Sequence, residues 1–374
     1  MKKIVLFTAT FICSLALIFG AVATSVQAFE VKEIEGQKVY KWKAQSIWPP
    51  TLTLADSDKK FVELVNKLSN GRLQIELHPS GSIVPYKEHF DAVKAGVLDM
   101  ASDYPGYWSG KGMPALDLLF SVAFGHNPMD NDLWWWHYGG RDLLLEIYGQ
   151  NNMHYIVENV ISMESGIRSN KPIRSVEDFK GLKVRMGTKP AQYAVRKLGG
   201  RPLTMATSEI YTALERGTLD GAELATPADD YRTGVHEITK YNAVPGWHQP
   251  MCACGFAINK KSWDALPEDL QELMEVAGRY TYWWSWSRVE AANVEAMKKL
   301  KEAGIEITVY SPEDLDKLRS GVYEYIEQLA AKDPMAKKMA ESYWGFFKWY
   351  EERRTAMGPF GWGYTPENLP NIFE

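Results

Sequence analysis

The chain has 374 residues, a formal net charge of −5, 45% hydrophobic and 24% charged residues, and ordinary glycine and proline contents. This balance excludes a disordered chain, a collagen and a coiled coil, and an acidic chain without a basic footprint is not expected to bind nucleic acid. At about 150 residues per domain the length suggests two domains.

The chain opens with Lys2 and Lys3, runs through the mostly apolar stretch Ile4 to Gly20, and reaches Val26-Gln27-Ala28. That is the pattern of a secretory signal peptide, 1–28, cleaved after Ala28; an uncleaved membrane anchor is the alternative. No later stretch approaches the roughly 20 apolar residues needed to span a bilayer, so an exported mature chain in the periplasm is expected. Residues 29–155 read mainly as a first lobe. Tyr40, Trp42 and Ala44 alternate with Lys41, Lys43 and Gln45 as a strand does. Leu54, Phe61, Leu64, Val65 and Leu68 then share one helical face before Gly71. Leu73, Ile75 and Leu77 form a second strand, and Phe90 and Val93 lie on a short helix that stops at Gly96. This β-α-β-α order argues for α/β architecture with a largely parallel sheet.

Residues 156–265, mainly a second lobe, repeat that grammar. A strand over 181–185 precedes a helix from Ala191 to Leu198, a strand at Pro202-Leu203-Thr204, and a helix capped by Ser208 that runs to Gly217. Asp91 to Asp99 resembles Thr212 to Asp220 at an offset of 121 residues, each a helix that ends at glycine and leads into Leu-Asp. Two similarly folded lobes with a ligand cleft between them follow, because open α/β sheets bind ligands beyond the carboxyl ends of their strands. Cys252 and Cys254, the only cysteines after the leader, sit near the upper limit of separation for a bridge. Two buried thiols and a strained local disulfide both remain open. Residues 266–374 read as helices, starting at Pro267, Pro312 and Asp333-Pro334. The last carries Tyr343, Trp344, Phe346, Phe347, Trp349 and Tyr350, which pack either on the lobes or across a homodimer interface.

No zinc, nucleophile-elbow, P-loop or CxxC pattern stands out, which favours binding over catalysis. The markers Gly71-Arg72-Leu73, Ala92 through Asp99, Val176 through Arg185, Ser208 through Leu214, and Gly217 through Glu223 occur in an order and spacing that resembles the extracytoplasmic solute-binding proteins of tripartite ATP-independent periplasmic (TRAP) transporters. Tyr107-Trp108-Ser109-Gly110-Lys111, Ala123-Phe124-Gly125, the stretch Trp134 to Gly140 and Pro245 through Pro250 look closest to the subgroup that binds 2-oxo or 2-hydroxy monocarboxylates with a metal ion.

The resemblance implies a two-lobed periplasmic-binding-protein-like fold and roles for particular residues. Arg185 matches the arginine that grips the ligand carboxylate, a task suited to a bidentate guanidinium fork. Glu223 matches an acidic metal ligand, and Leu224 replaces a Trp whose backbone carbonyl coordinates. Gln249 stands where the subgroup has Glu, and Glu164 where it has Gln. Two carboxylates, an amide and a carbonyl suit a hard cation, Ca²⁺ or Na⁺, bridging protein and ligand. Trp48, Tyr104, Tyr107, Trp108 and Trp247 are expected around the rest of the ligand. The implied activity is capture of a small organic anion and delivery to membrane permease subunits. A ligand-sensing subunit and, further off, a secreted enzyme acting on carboxylic acids are the competing classes.

Overall fold

The computed structural model describes residues 30–34 and 36–358; the expected signal peptide lies outside the described residues. Along the chain the strands are β1 (Glu30–Ile34), β2 (Gln37–Gln45), β3 (Leu73–His78), β4 (Met100–Asp103), β5 (Met153–Ile161), β6 (Ile167–Ser169), β7 (Lys183–Arg185), β8 (Arg201–Leu203), β9 (Gly221–Ala222), β10 (Tyr241–Val244), β11 (Cys252–Asn259) and β12 (Glu306–Val309). They form two six-stranded sheets. The first has the order β1-β2-β4-β11-β5 with β3 also on β2, and the second has the order β12-β10-β6-β9-β7-β8.

Both sheets are mixed, which corrects the largely parallel expectation. β2 runs parallel to β3 and β4, but β11 is antiparallel to β4 and β5. The expected boundary at 155 falls inside β5. Cys252–Asn259, placed in the second lobe from sequence, is instead the strand between β4 and β5 of the first sheet. Its buried, non-alternating run Cys-Ala-Cys-Gly-Phe-Ala-Ile suits a central strand covered on both faces. Both cysteines are free thiols, with sulfur atoms 3.5 Å apart.

The internal repeat is structural. At Gly96 and at Gly217 the backbone turns left-handed at a helix end, and the next N–H groups return to Ala92 O and Ala213 O. Asp99 N–H then donates to Lys43 O at 3.0 Å while its carboxylate accepts from Lys43 N–H at 2.7 Å. Asp220 does the same with Lys183, at 2.8 Å and 2.9 Å. Each Leu-Asp thus clamps the start of its strand onto a parallel neighbour. The helix after β8 (Ile210–Glu215) is not capped by Ser208. A single 3-10 turn (Thr207–Glu209) precedes it, and the Glu209 carboxylate takes the Ala206 N–H at 3.1 Å.

A side-chain cap joins the lobes. The helix Thr53–Leu68 has no side-chain cap of its own. Asp229 of the second lobe supplies one, accepting from Thr53 N–H at 2.7 Å and Thr53 Oγ1 at 3.0 Å. The 35-residue helix Glu268–Glu302 lies along β5, where Ser285 Oγ bonds both the N–H and the carbonyl of Val160. Among the described residues no helix is long and apolar enough to cross a membrane. On the C-terminal helix Pro334–Met357, Tyr343 and Phe346 are fully buried in the chain's own core. Tyr343 stacks on His126 at 3.7 Å and its hydroxyl accepts from the His126 N–H. Trp349 remains 52% exposed.

Gly278 is where the long helix touches β5: a Cβ there would lie 2.6 Å from Ile156 Cγ2 and 2.7 Å from Val157 O. Helix propensity alone would make Gly278→Ala stabilising by about 1 kcal/mol. The clash with a backbone oxygen reverses the sign, and a net loss of about 1–2 kcal/mol is expected. Urea unfolding of the two proteins checks this; a gain in midpoint would mean that the helix is free to lift.

Candidate functional site

The loops that follow the strands of both sheets meet at one place. From the first sheet, Trp48 follows β2, and Tyr104 and Tyr107 follow β4. From the second, Arg185 ends β7, and Glu223 and Leu224 follow β9. Glu164 lies on the crossing from β5 to β6, and Gln249 on the crossing from β10 to β11. All eight line a chamber of about 50 Å³. It shares Trp48, Tyr104, Tyr107, Arg185 and Thr188 with a larger cavity of about 410 Å³.

The chemistry centres on a buried ion cluster. Arg185 and Glu223 are 5% and 2% exposed, and Arg185 Nη1 donates to Glu223 Oε2 at 2.5 Å. The other Glu223 oxygen accepts from the Gly187 N–H. Position 187 must be glycine for this: a Cβ would come 2.8 Å from Glu223 Oε1 and 3.2 Å from Arg185 Nη1. Across the chamber Glu164 accepts from Gln249 Nε2 at 2.6 Å and faces His248 Nε2 at 2.9 Å. Ser121 donates to Gln249 Oε1. Glu164, Glu223 and His248 each present a ligating atom, all within 4.8 Å of one another.

Burial, and next the Glu223 charge, push the Glu164 carboxyl up to about 7; His248 and Arg185 pull it the other way. Burial works against the Arg185 charge, but Glu223 foremost, with Tyr107 and Glu164, more than offsets it and raises its pKa. Burial also raises the Tyr104 phenol, which stays a neutral hydrogen-bonding group. With both carboxylates ionised, one guanidinium leaves the cluster one negative charge in excess, before His248 is counted. Two buried oxygen donors held close against their repulsion are what a cation neutralises. The residues therefore fit a bound cation, held by Glu164 and Glu223 with Gln249 and Leu224 beside them.

Buried polar atoms without a protein partner mark where a ligand would be held. They include Arg185 Nε, Trp48 Nε1 and Thr188 Oγ1, all on residues that line both cavities.

Two expected residues lie outside the small chamber. Trp108 borders only the larger cavity; its indole N–H donates to the buried Asp103 and its ring packs on Phe90 at 5.6 Å. Trp247 lies outside both cavities, stacked on Phe124 at 5.5 Å. Both are core anchors of the loops that carry their neighbours. His248, Gly187 and Thr188 were not anticipated. His248 adjoins Gln249 in a motif already singled out, and Thr188 precedes Lys189-Pro190 as a helix start.

Comparison with known proteins identifies the family. Residues 45–333 match the family described as bacterial extracellular solute-binding protein, family 7 (DctP). A monocarboxylate 2-oxoacid-binding periplasmic protein of Nostoc sp. (strain PCC 7120) is 29% identical over 308 residues, 82% of this chain and 84% of the relative. A TRAP periplasmic solute binding protein from Colwellia psychrerythraea, with bound calcium and pyruvate, superposes with a TM-score of 0.81 at 30% identity, covering 87% of this chain and 98% of that one. Another from Pseudoalteromonas atlantica, with bound sodium and pyruvate, gives 0.79 at 29% identity, covering 86% and 96%.

The raised Glu164 pKa has a stability consequence. A carboxyl that holds its proton more tightly when folded stabilises the fold below the unfolded value and loses that contribution as pH rises toward 7. In chelator, Glu164→Gln removes this loss. The variant is therefore expected to be more stable than the parent at pH 8 by on the order of 2 kcal/mol, with the gain shrinking by pH 5. Urea unfolding at the two pH values measures it; an equal difference at both would show that Glu164 does not titrate in this window.

Proposed function

The chain belongs to family 7 of the bacterial extracellular solute-binding proteins, and from that membership we propose that it captures a small 2-oxo or 2-hydroxy monocarboxylate between its lobes, with a Ca²⁺ or Na⁺ ion bridging protein and ligand. The observation that carries this is the position of Arg185. Its guanidinium is buried beside Glu223 and Glu164, and its Nε has no protein partner. With both carboxylates ionised, an anion alone would meet a cluster in negative excess. A bound cation supplies the missing positive charge and a Lewis-acidic centre on which a carboxylate and a 2-oxo group can chelate. Arg185 then takes the carboxylate through its free donors, while Thr188 and Trp48 offer a hydroxyl and an indole N–H.

Arg185, Glu223 and Thr188 come from the second lobe and Trp48, Tyr104 and Tyr107 from the first. A ligand that touches both sets binds the closed arrangement better than the open one, so binding and closure are linked. Lys189 supports closure: its ammonium donates to Ser109 Oγ at 2.8 Å and lies 3.2 Å from the Asp117 carboxylate, across the cleft. In this proposal the protein acts in the periplasm after cleavage at Ala28, as a non-catalytic subunit that hands its ligand to membrane permease subunits. The outer side of the C-terminal helix around Trp349 is available to a homodimer partner.

Isothermal titration of the mature chain with pyruvate tests the proposal. Affinity is expected to be at least about a hundredfold greater with calcium or sodium than in sodium-free buffer containing chelator. Arg185→Ala and Arg185→Lys should each lose about a hundredfold or more, since loss of one partner of a buried pair costs about 3–5 kcal/mol and an ammonium cannot replace the fork. Equal affinity in chelator would remove the cation from the scheme. No binding of any 2-oxo or 2-hydroxy acid under either condition would remove the ligand class.

A further inference from the structure

The two cavities meet at Arg185, and their other walls differ in chemistry. Glu164, Glu223 and Gln249 line only the small chamber, whereas Tyr86, Trp108 and Met205 line only the larger one. A 2-oxo acid held by its carboxylate at Arg185, with its chelating oxygens toward the carboxylates, therefore points its third carbon and everything beyond it into the larger cavity. That cavity measures about 410 Å³, within the range that holds ligands far bigger than a three-carbon acid. Pyruvate would place a single methyl there.

One wall of this space is aromatic and built to shape, facing hydroxyl and amide side chains such as Thr204, Thr207, Ser208 and Gln192. Tyr104 and Tyr107 meet edge to face with ring centroids 5.0 Å apart at 84°, and Tyr86 meets Tyr107 at 5.9 Å and 61°. Gly106 makes the arrangement fit, because a Cβ there would lie 2.6 Å from Tyr104 Cε1. The Tyr104 ring thus lies across the backbone of its own turn. Flat aromatic faces and edges at these angles suit a ring or a branched hydrocarbon.

Two of the three lysines at the cavity are already held in ion pairs, and the third lies over a ring. Lys111 sits 2.6 Å from the Asp91 carboxylate, Lys189 is held by Ser109 and Asp117, and the Lys87 ammonium lies over the Tyr86 ring at 5.8 Å. A second carboxylate at the far end of a ligand would have to break such pairs.

We infer that the preferred ligand of this site is a 2-oxo or 2-hydroxy monocarboxylate with an aromatic or branched apolar tail, and that Tyr86, Tyr104 and Tyr107 select that tail. This rests on the capture function proposed above and adds the substrate class.

Titrating the mature protein in calcium with pyruvate, 4-methyl-2-oxopentanoate, phenylpyruvate and 2-oxoglutarate tests it. Phenylpyruvate or 4-methyl-2-oxopentanoate should bind at least about tenfold more tightly than pyruvate, a difference of about 1.4 kcal/mol, and 2-oxoglutarate no more tightly than pyruvate. Tyr86 is half-buried on a single 3-10 turn, so Tyr86→Ala should fold. It should cost the apolar-tailed acid about tenfold while leaving pyruvate within about twofold, and Tyr86→Phe should keep the preference. Pyruvate binding as tightly as the larger acids, or 2-oxoglutarate binding best, would overturn the inference and leave the capture function standing. Failure of all four acids and of their 2-hydroxy counterparts to bind would overturn both.

Discussion

A guanidinium cannot be buried without a counter-charge, and the site is organised around meeting that requirement at Arg185. Glu223 meets it, and the position of Glu223 is set by the pairing of β7 with β9. In that register Arg185 stands opposite Ala222, one residue before the acid. The Asp220 clamp on Lys183 fixes the register from the other end of the same two strands. One pair of turn hydrogen bonds thus helps set, three residues later, which side chain faces the arginine. The repeat at Asp99 and Lys43 does the same in the first lobe, where β2 and β4 lead into Trp48 and Tyr104. The two lobes resemble each other because each must deliver loops to the cleft from strands in strict register.

The carboxylate opposite Arg185 is placed differently. Glu164 and Gln249 lie on the two segments that cross between the sheets, and they hold each other. Glu164 N–H donates to Gln249 O at 3.1 Å, and Gln249 Nε2 returns to the Glu164 carboxylate. Gly246 brings the crossings together, since a Cβ there would lie 2.2 Å from Glu164 O. Half of the charge cluster is thus built into the connection about which the lobes would move, and the other half is carried by the second sheet. In the proposed mechanism a cation held by both halves ties the position of one to the other, so that occupancy and closure become one equilibrium.

Much of this was legible from residue pattern. Alternation marked β2 and β3, glycine stops marked the helix ends, and the 121-residue repeat marked the paired clamps. What escaped depends on contacts distant in sequence. The hydrophobic run at 252–259 could not show which sheet it would join, because a strand buried on both faces carries no period. Gln45, on the polar face by alternation, is fully buried because its amide bonds Ile83, Val84 and His89. Trp108 and Trp247 were drawn to the ligand by their neighbours in sequence. Trp247 anchors its loop from behind, stacked on Phe124, whereas Trp108 is held by Asp103 and still borders the larger cavity. Arg185 and Glu223 were located through family resemblance, since a lone arginine after a three-residue strand looks like any surface cation.

The exchange of Glu and Gln that the resemblance implies at 164 and 249 has a simple physical basis. The two side chains touch, with Gln249 Nε2 2.6 Å from Glu164 Oε1, so moving the carboxylate from one to the other keeps the charge in the same small volume. A cation between them and Glu223 would meet two carboxylates in either arrangement. His248 favours the arrangement found here: its ring nitrogen lies 2.9 Å from the second Glu164 oxygen, while the hydroxyl of Ser121 satisfies the amide oxygen of Gln249. The side-chain polar atoms of Glu164 and Gln249 thus each have a partner of the right kind, which a buried site demands. In the proposed function the site would keep its charge under either arrangement, with only its hydrogen bonds differing.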